Sequence, residues 1–402
     1  MTRQPLRRVF AVVNGGTPTS EPEHWDGDVS WATPVDLGRF NGARIGETQR
    51  TLTTEGLRTG SSLVPAGSLI VSTRAPIGYI VETTMPTAFN QGCRGLVPRT
   101  GVDVRFFRYQ LLAAAEHLEA RGQGSTFVEL SSEGLSSFPL FVPPVEQQRV
   151  TADYLDTETA RIDRLVEARR RQLGLLDERE AEAVLSLLHA ECDTPLMKLS
   201  RVADLLAGYS YRSGEFVEQD GAVVRLLRGI NVDVGAIRWD ETVWVRPEIA
   251  AATARFGLEL GDIVVGMDRP IISTGVRVAR LAGGDLPAML VQRVARLRVR
   301  PGLLQDYLWC TLRSPRLGDY FAPMFTGVSV PHLSPAQIMS FEIPVPPVAS
   351  QAAIAEAVRQ IEESGRRLRA AIASQVDLLL ERRHALITAA VTGELEIPGV
   401  AA

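Results

Sequence analysis

Two stretches of the chain repeat each other and decide the fold. Residues 124–131 read Gly-Ser-Thr-Phe-Val-Glu-Leu-Ser, and residues 327–334, 203 positions later, read Gly-Val-Ser-Val-Pro-His-Leu-Ser. The register continues without a gap, so that Val-Pro-Pro-Val at residues 142–145 matches Val-Pro-Pro-Val at residues 345–348. This run of matches indicates that the chain contains an internal duplication.

Weaker matches lie upstream at shorter offsets, as expected when the loops of the two copies differ in length. Gly-Ser-Leu-Ile-Val at residues 67–71 resembles Gly-Asp-Ile-Val-Val at residues 261–265. Both are short apolar runs that follow a turn residue, and they predict buried strands. Each copy therefore begins with a strand-rich block, over roughly residues 1–142 and 196–345.

Each block is followed by a long segment poor in glycine and proline, over roughly residues 146–190 and 349–392. The Pro-Pro pair before each segment suits the start of a helix, because proline there gives up no intrahelical hydrogen bond. Apolar residues recur at spacings of three, four or seven, which predicts two helices of about 60 Å that pack on each other. The predicted seam comprises Ile162, Val166, Leu173, Leu176, Val184 and Leu187, with Ile354, Val358, Ile361, Leu368, Ile372, Val376, Leu379, Leu386 and Ala390, and its polar breaks are Arg169, Glu180 and Arg383.

The composition excludes several classes of protein. The chain lacks a phosphate-binding loop of the G-x-x-x-x-G-K-[ST] type, an H-E-x-x-H motif and a G-x-S-x-G motif, and its five histidines are isolated from one another. Three scattered cysteines and no apolar run near 20 residues predict a cytoplasmic protein without a disulfide framework. The net charge of −4 argues against a strong nonspecific polyanion binder.

Two similar but non-identical blocks held apart by paired helices suit the reading of two half-sites on one DNA duplex. Arginine, asparagine and glutamine are the side chains that read base edges in the major groove. The candidate DNA-binding residues near the predicted loop tips are Arg74, Asn90, Gln91, Arg94, Gln123 and Thr126 in the first block and Arg228, Asn231, Arg269, Gln292, Arg293 and Ser329 in the second. No residue is a candidate for catalysis or metal binding.

The sequence resembles the specificity subunits of type I restriction–modification enzymes. Thr-Arg-Ala-Pro-Ile-Gly at residues 73–78, Asn-Gln-Gly at residues 90–92 and Gly-Gln-Gly-Ser-Thr at residues 122–126 resemble the target-recognition domains of that family. Residues 138–149 resemble the entry into its first conserved helix, and residues 385–395 resemble its C-terminal ending. The likeness covers nearly the whole chain.

The resemblance implies an α+β fold of two globular α/β target-recognition domains, separated by two long helices that pack as an antiparallel coiled coil, in a pseudo-twofold repeat. It implies recognition domains at residues 1–145 and 196–348, a central spacer helix at residues 146–195, and a C-terminal helix and tail at residues 349–402. It further implies a noncatalytic subunit that reads a bipartite, gapped target in double-stranded DNA. The implied partners are two modification subunits, which carry S-adenosylmethionine and methylate adenine, together with ATP-dependent restriction subunits, while this chain binds no cofactor.

Two alternatives remain open from the sequence. One is a self-contained DNA methyltransferase or nuclease fragment, which the missing cofactor and catalytic motifs disfavour. The other is a coiled-coil scaffold that reads no bases.

Overall fold

The structure is a computed structural model that describes residues 3–123, 128–189, 194–325 and 331–398. The chain divides into two compact units, one formed by Met1–Arg171 with Ile372–Ala402 and the other by Gln172–Ala371. Each unit therefore contains one globular part and one end of each long helix.

The globular part of the first unit carries strands β1 to β11 and helices α1 to α5. The strands in the described residues are β1 Arg3–Pro5, β2 Phe10–Asn14, β3 Trp25–Ala32, β4 Arg44–Ile45, β5 Arg50–Leu52, β6 Ser62–Val64, β7 Leu69–Ser72, β8 Ile80–Thr83, β9 Thr87–Phe89, β10 Cys93–Pro98 and β11 Pro139–Phe141. The helices are α1 Pro34–Arg39, α2 Thr54–Gly60, α3 Val104–Ala113, α4 Ala115–Glu119 and α5 Ser132–Ser136.

The globular part of the second unit follows the long helix α6, Val145–His189. Its strands are β12 Leu196–Lys198, β13 Ala203–Ala207, β14 Val224–Leu227, β15 Val243–Val245, β16 Ile263–Gly266, β17 Ile271–Ile272, β18 Gly275–Val276, β19 Val278–Arg280, β20 Ala288–Leu290, β21 Val294–Val299 and β22 Glu342–Pro344. Its helices are α7 Leu199–Val202, α8 Pro247–Ala252, α9 Gln305–Leu312, α10 Pro315–Phe321 and α11 Pro335–Met339, and the long helix α12, Val348–Thr392, ends the repeat.

The sheets show the duplication strand by strand. The central sheet of the first unit has the order β2-β10-β7-β8-β4, and that of the second has the order β13-β21-β16-β19. A smaller sheet in each unit joins one parallel and one antiparallel neighbour, since β3 pairs with β9 and β5 in the first, and β14 pairs with β20 and β15 in the second. A short antiparallel pair, β1–β11 or β12–β22, closes each globular part. The predicted buried strands are thus β7 and β16, all of whose residues are buried.

Within each unit the two long helices run antiparallel and share an apolar seam. In the first unit Ile162 and Val166 of α6 pack with Val376 of α12. In the second unit Glu180 of α6 contacts Arg369 of α12, whereas Val184 and Leu188 belong to the same core as Ile354 and Val358, so rising numbers on α6 meet falling numbers on α12. The predicted fold class, an α+β repeat with two long antiparallel helices, is confirmed.

One seam residue was predicted wrongly. Leu368 is 51% exposed, whereas Ile372 is 6% exposed and belongs to the seam. Near this turn of α12 the seam instead passes through Gly365 and Arg369. Arg369 donates to Glu180 of α6 (Nη1 to Oε2, 2.8 Å), and a Cβ on Gly365 would overlap the same carboxylate, so a polar contact replaces the leucine that the heptad spacing favours.

Candidate functional site

Three segments of the first globular part meet at the end of β7. The amide of Thr73 donates to the carbonyl of Gly92 (2.8 Å), and the amide of Leu130 donates to the carbonyl of Thr73 (2.8 Å). These backbone bonds bring together three stretches that are distant in sequence. We call this meeting point the first junction.

The second globular part contains the same arrangement at the end of β16. The amide of Met267 donates to the carbonyl of Arg293 (2.9 Å), and the amide of Leu333 donates to the carbonyl of Met267 (2.7 Å). Met267, Arg293 and Leu333 therefore occupy the positions of Thr73, Gly92 and Leu130. We call this meeting point the second junction, and the backbone correspondence makes Asp268 the counterpart of Arg74 and His332 the counterpart of Glu129.

An ionic cluster occupies the first junction. Arg74 and Arg94 both contact the carboxylate of Glu129, with Arg74 Nε 3.1 Å from Oε2 and Arg94 Nη2 3.4 Å from Oε1. The Arg74 side chain is 49% exposed, whereas that of Arg94 is 12% exposed. Arg74 is thus the outer member of the cluster and Arg94 the inner one.

The inner arginine is fixed by a chain of hydrogen bonds. Arg94 Nε donates to Ser132 Oγ (2.8 Å), which in turn donates to Asn14 Oδ1 (2.9 Å). Arg94 Nη1 also donates to the carbonyls of Gln91 (2.8 Å) and Cys93 (2.9 Å). A guanidinium with this many acceptors is held in one orientation, and it holds the Glu129 carboxylate in turn.

The second junction carries a cluster of opposite layout. Here the acid stands at the position of Arg74: Asp268 accepts from His332 Nδ1 (2.6 Å to Oδ1) and from Arg293 Nη1 (2.6 Å to Oδ2). Partial burial acts to raise the pKa of Asp268, but the hydrogen bonds from His332 and Arg293 outweigh it, and the pKa lies below its usual value. The basic side chains, Arg293 at 66% and His332 at 52% exposure, are the outer members of this cluster.

The remaining candidates of the first block lie around the first junction. The side chain of Asn90 accepts from the amide of Gly92 (Oδ1, 3.0 Å), and that of Gln91 is hydrogen-bonded to Thr17. Gln123 pairs with Glu129 through both backbone amides (3.0 Å each). The structure therefore gathers Arg74, Gln91, Arg94 and Gln123, which were predicted separately from the sequence.

The candidates of the second block divide into two groups. Arg269 and Gln292 are exposed beside the second junction, where the amide of Arg269 donates to the carbonyl of Pro331 (2.8 Å). Arg269 and Arg293 both have positive φ, 44° and 69°, a conformation that non-glycine residues seldom adopt. The backbone there turns sharply, so that exposed arginines follow the end of β16 and precede β21.

Arg228 and Asn231 instead form the cap of a short 3-10 helix at Gly229–Asn231. Asn231 is 1% exposed: its Oδ1 accepts from the amide of Arg228 (3.1 Å) and its Nδ2 donates to the carbonyl of Arg238 (2.9 Å). In the first unit Thr33 and Asp36 make the same cap. Asn231 therefore lies inside the fold rather than at the loop tip expected from its sequence, because its amide satisfies backbone groups.

The two hydroxyl candidates, Thr126 and Ser329, lie outside the described residues. Sequence reasoning missed Glu129 and His332, and with them Asn14 and Ser132. The quoted repeat aligns Glu129 with His332 and places each directly before a leucine. A signal for both was therefore present in the alignment of the two copies, although glutamate and histidine are not among the base-reading side chains arginine, asparagine and glutamine.

The described residues contain one group of possible metal ligands, Glu21, Glu23 and His24, whose ligand atoms lie within 4.8 Å of one another. Both glutamates are exposed, whereas His24 is buried. Among the described helices, none combines the length and the apolar character that a bilayer span requires.

Known proteins resemble this chain in sequence. Residues 4–173 match the family model described as the type I restriction modification DNA specificity domain. Among curated proteins, the specificity subunit of the type I restriction enzyme MjaIX of Methanocaldococcus jannaschii is 30% identical over 43% of this chain and 40% of its own length. The MjaVIII specificity subunit of the same organism is 24% identical over 65% of this chain and 64% of its own length. The EcoAI specificity subunit of Escherichia coli is 28% identical over 48% of this chain and 32% of its own length.

Two solved structures share the fold over nearly the whole chain. A chain from a study of complex assembly and conformational transition of the type I R-M system superposes with a TM-score of 0.73 at 17% identity, covering 98% of both chains. The HsdS subunit from Thermoanaerobacter tengcongensis superposes with a TM-score of 0.56 at 16% identity, covering 98% of this chain and 97% of that one.

The first part of the molecule is therefore a DNA specificity domain of the type I restriction–modification class. The resemblance to type I restriction enzyme specificity subunits that was drawn from the sequence is confirmed by this domain and by the curated relatives. The chain spans between about a third and two thirds of the length of the curated relatives named above.

Proposed function

We propose that this chain is the DNA-reading subunit of a type I restriction–modification complex and that it recognises a bipartite, gapped target. One observation carries the proposal: the two junctions share their backbone hydrogen bonds but carry clusters of reversed layout. Arg74 and Glu129 in the first are replaced by Asp268 and His332 in the second. A common scaffold with different exposed polar groups suits two half-sites of different sequence, because base edges are told apart by their donor and acceptor patterns.

The subunit acts without catalysing a reaction. It binds no cofactor, and S-adenosylmethionine is carried by two modification subunits that dock on it together with ATP-dependent restriction subunits. Neutralisation of phosphate charge supplies much of the affinity of proteins for DNA. Because the net charge of this chain is −4, we expect it to bind DNA modestly without its partner subunits. The complex acts in the cytoplasm, where its DNA lies, and the two long helices set the length of the unread gap.

Exchange of the recognition blocks tests the proposal. The chain is co-expressed with its modification subunits in a host without DNA methylation of its own, and the methylated motif is determined by sequencing. Replacement of residues 1–142 by the block of another specificity subunit changes one half of the motif, and replacement of residues 196–345 changes the other. An unchanged motif after both exchanges contradicts the proposal and favours a scaffold that reads no bases.

A second measurement separates a reading subunit from an enzyme. The purified chain is mixed with DNA of the methylated motif and radiolabelled S-adenosylmethionine, with and without the modification subunits. Label enters the DNA in the complete mixture alone. Methyl transfer by the chain without partners overturns the noncatalytic role.

A further inference from the structure

We propose that Arg74 with Glu129, and Asp268 with His332, are the matched specificity determinants of the two half-sites. The first pair presents a guanidinium fork to a guanine, and the second presents an imidazole acceptor to a base with an exocyclic amino group. This inference rests on the proposed function and names the chemistry of its site. Glu129 and His332 were not among the DNA-binding residues predicted from the sequence.

Glu129 orients the outer arginine. It binds Arg74 through Nε, at 3.1 Å from Oε2, and in the described part of the chain the two terminal nitrogens of Arg74 have no acceptor. A guanidinium held at Nε keeps two parallel donors pointing away from the carboxylate. That fork matches the O6 and N7 acceptors of guanine, which arginine contacts in bidentate fashion in the major groove.

The inner arginine explains why Glu129 stays in place. Arg94 is 12% exposed and donates to Ser132 and to the carbonyls of Gln91 and Cys93, so that its own guanidinium is committed. It contributes a fixed positive charge beside the Glu129 carboxylate. Glu129 is thus a positioning residue and Arg74 is the reader.

In the second cluster Asp268 holds the basic side chains. The Asp268 carboxylate accepts hydrogen bonds, so His332 donates to it from Nδ1, and in the neutral form of the imidazole Nε2 is then an acceptor. His332 is 52% exposed, so this nitrogen is open to a ligand. An acceptor there fits the amino group of adenine N6 or cytosine N4, the donors that bases present in the major groove.

The residues that anchor the first cluster are replaced by different residues in the second unit. The positions of Asn14, Ser132 and Arg94 are taken by Ala207, Pro335 and Ala295 in the second unit. For two of these positions this follows from the strand register, since Arg94 pairs with Asn14 and Ala295 pairs with Ala207. Pro335 stands 203 positions after Ser132, which is the offset of the repeat. In the part of the chain that the structure describes, the Asp268 carboxylate is the group that holds the side chains of both His332 and Arg293.

Single-residue variants of the full complex test the inference. In the host described above, Arg74→Lys keeps the charge and the fold but removes the fork, and we expect about a 10- to 100-fold loss of preference for guanine at one position of the first half-site. Glu129→Gln relaxes the same position, and Glu129→Asp restores part of the preference. Arg58→Ala, which removes an exposed arginine of the first unit that pairs with Glu55, is the control and leaves the motif unchanged.

The second pair is tested in the same way. His332→Phe keeps a ring of similar size without an acceptor, and we expect one position of the second half-site to relax while the first half-site keeps its sequence. Thermal unfolding of each purified variant checks that the fold is intact. A motif that stays unchanged in Arg74→Lys and His332→Phe overturns the inference, as does a weakening of binding that is equal for all DNA sequences, which indicates phosphate contacts.

These results are distinguishable from a failure of the proposed function. If the exchange of residues 1–142 changes a half-site while Arg74→Lys does not, the subunit reads DNA through other residues and only the present inference fails. If the exchange itself changes nothing, the proposed function fails first.

Discussion

Gln148 and Gln351 occupy the same position in the two copies and make the same contacts. Each is buried in the first turn of a long helix, and each accepts from one backbone amide of the globular part, Asp103 for Gln148 (2.9 Å) and Leu304 for Gln351 (2.8 Å). Each also donates from Nε2 to the carbonyl five residues earlier, Pro143 or Pro346, at 2.8 Å. The glutamine thus joins the start of each helix to the globular part that precedes it.

Removal of either glutamine amide should destabilise its own unit. Gln148→Met and Gln351→Met keep the side-chain length but leave buried backbone groups without partners, at a cost of about 2–4 kcal/mol each in the free energy of unfolding. Urea unfolding of the purified chain measures the change. Gln375→Met, at an exposed position of α12, is the matched control and should stay within about 0.5 kcal/mol of wild type. Equal effects of the buried and the exposed substitution contradict this role.

The seam between α6 and α12, which includes Ile372 and leaves Leu368 exposed, gives a second prediction. Ile372→Ala removes a buried side chain from the contact between α6 and α12 and should cost about 2–4 kcal/mol in the free energy of unfolding. Leu368→Ala removes a side chain that is 51% exposed, and alanine is at least as good a helix former, so its effect should be below about 0.5 kcal/mol. Urea unfolding measures both changes. A larger loss for Leu368→Ala than for Ile372→Ala contradicts this prediction and supports the seam predicted from the heptad spacing.

A buried ion network ties the first globular part to α6. The Arg108 side chain is 6% exposed and contacts both Glu82 (2.6 Å) and Asp156 (3.1 Å). Arg108→Met leaves Glu82 without its nearest charge partner and should lower the free energy of unfolding by about 3–5 kcal/mol. Arg39→Met breaks the exposed pair with Glu47 and should change it by less than about 1 kcal/mol. Similar losses in the two variants, measured by urea unfolding, contradict a structural role for the buried network.

The second junction should respond to acid. The folded state lowers the pKa of Asp268 from its ordinary value of 3.8, so the ionised carboxylate stabilises the fold above that value, and this contribution is lost as the pH falls through the lowered pKa. Asp268→Asn should therefore be less stable than wild type at pH 7, by at most about 1 kcal/mol, and the difference should shrink below pH 3.8. Urea unfolding at a series of pH values checks this, with exposed Asp240→Asn as the control. A difference that grows toward low pH contradicts the assignment.

The sequence was sufficient for the architecture because the architecture follows from periodic and duplicated features. The repeat located the equivalent strands β7 and β16, and the absence of glycine and proline located α6 and α12. Leu368 shows the limit of periodicity: three- and four-residue steps allow more than one path along a helix, and the contact of Arg369 with Glu180 selects the path. A glycine at residue 365 makes room for that carboxylate, which no apolar pattern reports.

Only part of the candidate site could be predicted from the sequence. Arg74, Gln91, Arg94 and Gln123 are separated in the chain, and a meeting of backbone segments around Thr73 brings them together. Such a meeting depends on tertiary hydrogen bonds and leaves no local signature. Asn231 illustrates the opposite case, since a polar residue expected at a loop tip caps a short helix from inside the fold.

The composition of the two units has a consequence for biosynthesis. Gln172–Ala371 is one continuous segment, whereas the first unit combines Met1–Arg171 with Ile372–Ala402, which is made after the second unit. Leu6, Val9 and Phe10 near the start share a core with Ile387 and Val391 near the end. In a nascent chain this core therefore stays incomplete until the ribosome has passed Val391. A premature stop in α12 before Ile387 removes both of these side chains from the core, so the first globular part is completed only after α12 has been translated.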